Sequence, residues 1–241
     1  MGSNNCKNDN SKYDISNFKE DPIMGNLVDW EKLECIIKKN NIKLLEIIGK
    51  GHRGVVFKGI FKNKIVAIKV PRINSKNTVY HEGSILEETN LLNIGPKVYK
   101  FSNNYLIMEY IEGINLKDYL SQKYIDKKEY IAIIENTLKQ CLRLDFHKIN
   151  HGEIQGGKHI IINNKDESKL KVCIIDFDKS RRGRITHNFT SAISLFFTKS
   201  HISRRTFEIL NISKDERNQI LDITKLYKRY VIKRKLLNNL K

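Results

Sequence analysis

The sequence predicts an α+β fold in two lobes, a small five-stranded first lobe carrying one helix and a helical second lobe. Three observations predict it. Five short β-branched runs, bounded by turn residues, fall between residues 43 and 110 with one helical stretch among them. After Gly113 the apolar spacing changes from strand-like to helical. Strands that precede helices, rather than alternating with them, give an α+β plan with a cleft at the junction.

Each element has a local cause. Residues 1–20 are polar, rich in Asn, Lys, Ser and Asp, and are expected to be disordered. The first lobe is expected over 21–111. Asp29 is placed to cap a leading helix whose Trp30, Leu33, Ile36 and Ile37 share one face, ending near Asn40-Asn41. Strands are expected over 43–48, 55–61 and 65–70, then a helix over 78–92 that Gly95-Pro96 stops. Two strands follow, 98–101 and 105–110, joined through Asn103-Asn104. In the second lobe, expected over 112–241, a short helix at 115–120 precedes a long one at 127–148. Strands 160–162 and 172–175 flank a polar turn, and helices at 191–197, 205–210 and 216–237 complete the chain.

Composition narrows the class. With 241 residues and 40% apolar content the chain has material for a real core. No run of eighteen apolar residues occurs, and the start lacks the basic and apolar regions of a signal peptide. It reads Met1-Gly2, but Lys7 stands where an acylation signal wants Ser or Thr. Cys6, Cys35, Cys141 and Cys173 are scattered, so a cytoplasmic protein with reduced thiols is expected. The net charge of +17 is concentrated in residues 181–241, which hold 15 Lys and Arg against 4 Asp and Glu. This stretch reads equally as a solvated basic face or as a docking surface for RNA or a ribonucleoprotein.

The chemistry begins at Gly49-Lys50-Gly51-His52-Arg53-Gly54-Val55-Val56, followed a short hairpin later by Val66-Ala67-Ile68-Lys69. Gly49, Gly51 and Gly54 let backbone approach phosphates, since no Cβ intervenes. Lys69 sits on an apolar strand, where a lone ammonium is unfavourable, so it requires a carboxylate from the following helix. Glu82 is preferred over Glu87 and Glu88. The ordered pair resembles the glycine loop and lysine strand of protein kinases. Further on, Ile107-Met108-Glu109-Tyr110-Ile111 resembles the hinge between kinase lobes. His151-Gly152-Glu153 resembles the catalytic loop, and Ile175-Asp176-Phe177-Asp178 the metal-binding Asp-Phe-Gly segment.

The resemblance spans residues 43–180 and is nearest to small atypical archaeal-type Ser/Thr kinases, close to the RIO kinases and the kinase of the KEOPS complex. Three features support that placement: Gly152 replaces an arginine, no Ala-Pro-Glu segment follows Asp176, and only 65 residues remain after it. The resemblance implies a protein-kinase-like fold with a reduced second lobe, acting on ATP with Mg2+. Gly49, Gly51, Gly54, Val56, Ala67, Lys69, Glu82, Met108, Glu109 and Ile111 would then surround the nucleotide. Asp176 would bind the metal, and Glu153 would take the catalytic aspartate's place.

Two departures stand out. Glu153 carries its carboxylate one methylene further out than aspartate would. Lys158 falls five residues on, where the family has a metal-binding asparagine, and is expected to act in catalysis by offsetting phosphate charge. The favoured reading is an atypical ATP-dependent Ser/Thr protein kinase, slow or autophosphorylating, with an unidentified protein substrate. The same residues also suit an ATP-binding or ATPase regulatory module. They suit a small-molecule phosphotransferase too, whose loops read His-Gly-Asp and Asp-Phe-Asp.

Overall fold

In the computed structural model, residues 15–20, 25–163, 170–183, 185–198 and 200–238 are described. The chain divides into two compact units, one formed by residues 1–87 and 97–110, the other by 88–96 and 111–241.

The first unit opens with a helical turn, α1 (Ser16–Lys19), and a capped helix, α2 (Trp30–Asn40). The turn lies within the stretch expected to be disordered; residues 1–14 of that stretch lie outside the described residues. It is ordered because Ile15 is buried in the unit's core and the Phe18 ring meets Phe57 edge-on at 5.9 Å. Asp29 caps α2 as its position predicts, accepting the Lys32 N–H at 3.1 Å, and Asn41 ends the helix in the left-handed conformation. Leu33, Ile36 and Ile37 are the buried stripe.

Strands β1 (Lys43–Lys50), β2 (Gly54–Phe61), β3 (Lys64–Pro71), β4 (Val98–Phe101) and β5 (Leu106–Glu109) make one antiparallel sheet in the order β1-β2-β3-β5-β4. The β2–β3 hairpin turns on Lys62 and Asn63, both at positive φ, which suits the right-handed twist of the flanking strands. Helix α3 (Val79–Asn90) packs its Gly83 against Phe101 of β4. A methyl group at Gly83 would sit 2.5 Å from that ring, so the approach requires glycine.

The second unit is built on the long helix α5 (Lys127–Phe146), which follows the two-residue strand β6 (Ile114–Asn115) and the turn α4 (Leu116–Tyr119). Tyr130, Ile133, Ile134 and Leu144 of α5 are buried. After β7 (Ile149–Asn150), a 3-10 turn over Ile154–Gly156 leads into β8 (Ile160–Asn163), which pairs with β9 (Lys171–Ile174) and β6. The pair β7 and β10 (Arg181–Arg182) closes the loop region. These two-residue strands escape a period-based reading because two residues carry no period.

Three helices follow, α6 (Asn188–Phe197), α7 (His201–Leu210) and α8 (Lys214–Asn238). Helix α7 starts four residues before its apolar pattern suggests, because Ser200 and Ser203 form a reciprocal capping box. The buried Tyr130 and Thr206 hydroxyls meet at 2.6 Å and tie α7 to α5. Cys35, Cys141 and Cys173 are outside any disulfide among the described residues. Among the described residues no helix is long and apolar enough to cross a membrane.

Candidate active site

The sequence-predicted residues fall into two groups, one in each unit. In the first unit, Lys69 lies on β3 opposite Val56 of β2, and Val56 in turn pairs with Gly49 of β1. The loop between β1 and β2 is closed by the Gly51 N–H donating to the Gly54 carbonyl at 2.9 Å. Lys69 Nζ stands 2.7 Å from Glu82 Oε2, with side chains 7% and 0% exposed. Helix α3 can deliver Glu82 so deeply because its neighbour Gly83 lets the helix settle on Phe101. The other two glutamates weighed for this role go elsewhere: Glu87 is exposed, and Glu88 takes Arg182 in a two-pronged ion pair.

Ala67 and Met108 face each other across β3 and β5, both buried. Glu109 ends β5, its N–H donating to the Lys97 carbonyl at 2.8 Å and its carboxylate accepting the Lys97 N–H at 3.2 Å. Ile111 follows, half-buried, at the start of the second unit.

In the second unit, the segments around Glu153 and Asp176 are locked together through His151. This ring is fully buried; Nε2 faces the Ile175 carbonyl at 3.0 Å and Nδ1 accepts the Glu153 N–H at 3.2 Å. Burial pushes His151 down to about 4. The neutral ring therefore carries its proton on Nε2, the one tautomer that satisfies both partners. Phe177 packs on the same ring at 4.7 Å, itself fully buried. Asp176 is held at φ 65°, a conformation that costs a non-glycine residue energy and persists where its surroundings impose it.

Beneath this, Asn188 at the start of α6 accepts the His151 N–H at 2.8 Å and donates to the Ile149 carbonyl and to Asp145 Oδ1, both at 2.7 Å. Asp145 also accepts the N–H groups of Asn188 and Phe189, each at 3.0 Å, and the Tyr227 hydroxyl at 3.2 Å.

Lys158 is exposed, and the side chain brought to Asp176 is that of His159. The 3-10 turn ends on Gly157 at φ 68°, where a Cβ would strike Ile202 at 2.6 Å, and the chain enters β8 at Ile160. His159 then precedes Ile160-Ile161-Ile162, and its carbonyl accepts the Ile175 N–H at 2.9 Å. The start of that isoleucine run is the signal that marks His159 in the sequence.

His159 Nδ1 lies 3.5 Å from Asp176 Oδ2, and Nε2 lies 3.6 Å from Glu153 Oε2. Neither is a hydrogen bond, and Nε2 is buried without one. Burial, with the Lys158 charge adding to it, holds the ring below its ordinary value against the raising effect of three carboxylates, Asp176, Glu153 and Asp178. Burial alone would raise Glu153, but Lys179, whose Nζ is 2.5 Å from Oε1, and the charges of His159 and Lys158 hold it below the usual carboxylate range. Among the described residues, Glu153, His159 and Asp176 are the one His/Cys/Asp/Glu group that could hold a metal ion, with donor atoms within 4.8 Å of one another.

The first unit thus holds a buried lysine–glutamate pair beside a glycine loop, and the second a Glu–His–Asp cluster on a histidine-locked loop. The chain belongs to the protein kinase domain family, whose model matches residues 42–203. Its class of reaction is therefore phosphoryl transfer. An uncharacterized protein of Methanocaldococcus jannaschii is 42% identical over 122 residues, which cover 51% of this chain and 99% of that relative.

Proposed function

We propose that this chain is an atypical Ser/Thr protein kinase that transfers the γ-phosphoryl group of ATP, with a divalent cation, to a protein hydroxyl, its own included. The observation that carries the reading is the Lys69–Glu82 pair, buried at 2.7 Å. Burying two charges is unfavourable unless each is paired, so such a pair is weak evidence of stability. Its use is directional: Glu82 holds the ammonium of Lys69 in one position, ready for anionic oxygens.

The roles follow from the chemistry of each group. The loop through Gly49, Gly51 and Gly54 offers backbone N–H groups to phosphates, and Lys69 offsets their charge. Val56, Ala67 and Met108 give an apolar wall for a base. The Glu109 N–H is already engaged, so Glu109 contributes its carbonyl and Ile111 its N–H to the base edge. Glu153, a carboxylate at neutral pH, orients the acceptor hydroxyl and takes its proton. Asp176 would hold a divalent cation, which would supply positive charge to offset that of the phosphate oxygens. The residues present fit such an ion, since the His159 ring lies between two carboxylates, Nδ1 3.5 Å from Asp176 Oδ2 and Nε2 3.6 Å from Glu153 Oε2. A cytoplasmic setting accords with this reading.

The test is incubation with γ-labelled ATP and Mg2+ or Mn2+, with and without a generic protein acceptor. Label on serine or threonine, lost in Asp176→Ala, is the expected result. Free phosphate without labelled protein would instead mark an ATPase module, and label on small hydroxylated compounds a small-molecule phosphotransferase.

A further inference from the structure

We infer that Asp176 and His159, backed by Glu153, form a preformed site that binds a transition-metal dication of the manganese, cobalt or zinc class in preference to magnesium, before any nucleotide arrives. The inference rests on the proposed function only for the use of the ion; the binding itself is a property of the second unit alone.

The geometry fixes the donors. The His159 ring turns Nδ1 toward Asp176 Oδ2 at 3.5 Å and Nε2 toward Glu153 Oε2 at 3.6 Å. Both gaps are too long for hydrogen bonds, and both are short enough for one ion with bonds of about 2.1 Å to bridge two donors. One ring nitrogen takes the ion and the other hands its N–H to a carboxylate, the arrangement that fixes a metal-binding histidine. Lys179 decides which. Its ammonium already sits 2.5 Å from Glu153 Oε1, and a second cation beside it is disfavoured. The ion therefore takes Nδ1 and Asp176, and the orphaned Nε2 becomes the donor to Glu153 Oε2.

The site is built in advance. The His159 carbonyl is bonded to the Ile175 N–H at 2.9 Å, so the two ligand-bearing segments are joined beside the ligands themselves. Phe177 and His151 pack behind them. His159 is itself 6% exposed, so the ring has little freedom to leave.

Ligand chemistry sets the preference. Magnesium favours oxygen donors and sheds water reluctantly, whereas imidazole suits first-row transition metals. An asparagine in this place would offer an amide oxygen, but His159 offers only nitrogen.

The experiment uses the full chain without nucleotide. Mn2+ binding is followed by EPR titration, with Mg2+ as competitor, in wild type and His159→Asn, and pulsed EPR reads the ligands of the wild-type complex. Expected are about one Mn2+ per chain, a Mn2+ signal coupled to an imidazole nitrogen, and retention of Mn2+ against a large excess of Mg2+. In His159→Asn the Mn2+ affinity should fall at least ~10-fold while Mg2+ affinity does not, so that the ratio collapses. No nitrogen coupling, no Mn2+ binding, or an unchanged Mn2+/Mg2+ ratio in His159→Asn overturns the inference. Mn2+ bound through nitrogen by a chain that labels no protein would uphold this site and defeat the proposed kinase activity. Transfer with Mg2+ and no nucleotide-free Mn2+ binding would do the reverse.

Discussion

Lys69 and Glu82 show how one buried pair constrains two substitutions at once. Glu82 is fully buried, so replacing Lys69 by alanine removes the lysine's use and also strands a carboxylate in the core. Breaking a buried pair from one side costs about 3–5 kcal/mol, while replacing both partners by well-packed neutral groups is often close to neutral. Lys69→Ala is therefore expected to lower stability by about that amount, and Lys69→Met combined with Glu82→Gln to recover most of it. Denaturant unfolding reads the stability and label transfer reads the activity, which stays absent in both. Equal stability of the single and double variants would show that Glu82 is hydrated or protonated without Lys69. This pair is legible in the sequence because strand, loop and helix are consecutive and the lysine's need for a carboxylate is a local rule. His159 is not, because its place is set by the left-handed turn at Gly157, and a count of five from Glu153 lands on the exposed Lys158 instead.

Among the elements, α3 sets where Glu82 stands, and Gly83 sets where α3 stands. Glycine to alanine within a helix ordinarily gains about 1 kcal/mol. Here the added methyl group would lie 2.5 Å from the ring of Phe101, which is half-buried and already in contact with Tyr80 at 5.3 Å. Overpacking of this kind costs about 1–3 kcal/mol, so the sign reverses. Gly83→Ala is expected to lower the thermal midpoint and the rate of transfer together, by moving Glu82 away from Lys69. A raised midpoint would mean that Phe101 yields freely and that α3 is placed by other contacts. The strands and long helices are legible from their apolar periods. The close contact at Gly83 is not, since one glycine in a helix has the same appearance whether it meets a ring or solvent.

Across the whole molecule, the expected five-stranded sheet and the helical remainder are both present, and they are the part of the fold that periodicity can carry. The wiring beneath the loop at His151 is longer-range. Asp145 on α5, Asn188 on α6 and Tyr227 on α8 are separated by 43 and 82 residues along the chain, and no local pattern links them. Their bonds run in series: the Tyr227 hydroxyl and the Asn188 amide both donate to Asp145, and Asn188 in turn accepts the His151 N–H. Phe189 and Tyr227 also meet ring to ring at 4.7 Å, so α8 is seated by packing as well as by the hydroxyl. Through these bonds α8 supports the loop that carries Glu153. Tyr227→Phe keeps the ring and removes one hydrogen bond to a carboxylate, for a loss of about 1.5–3 kcal/mol at most. Asn188→Ala leaves the buried His151 N–H without its partner and is expected to cost about 1–3 kcal/mol. Because both residues share Asp145, the double variant should depart from the sum of the two by about 0.5–3 kcal/mol, whereas independent sites add. Denaturant titration of the four proteins measures that coupling. Simple additivity would show that α8 rests on the second unit without bracing the loop that carries Glu153.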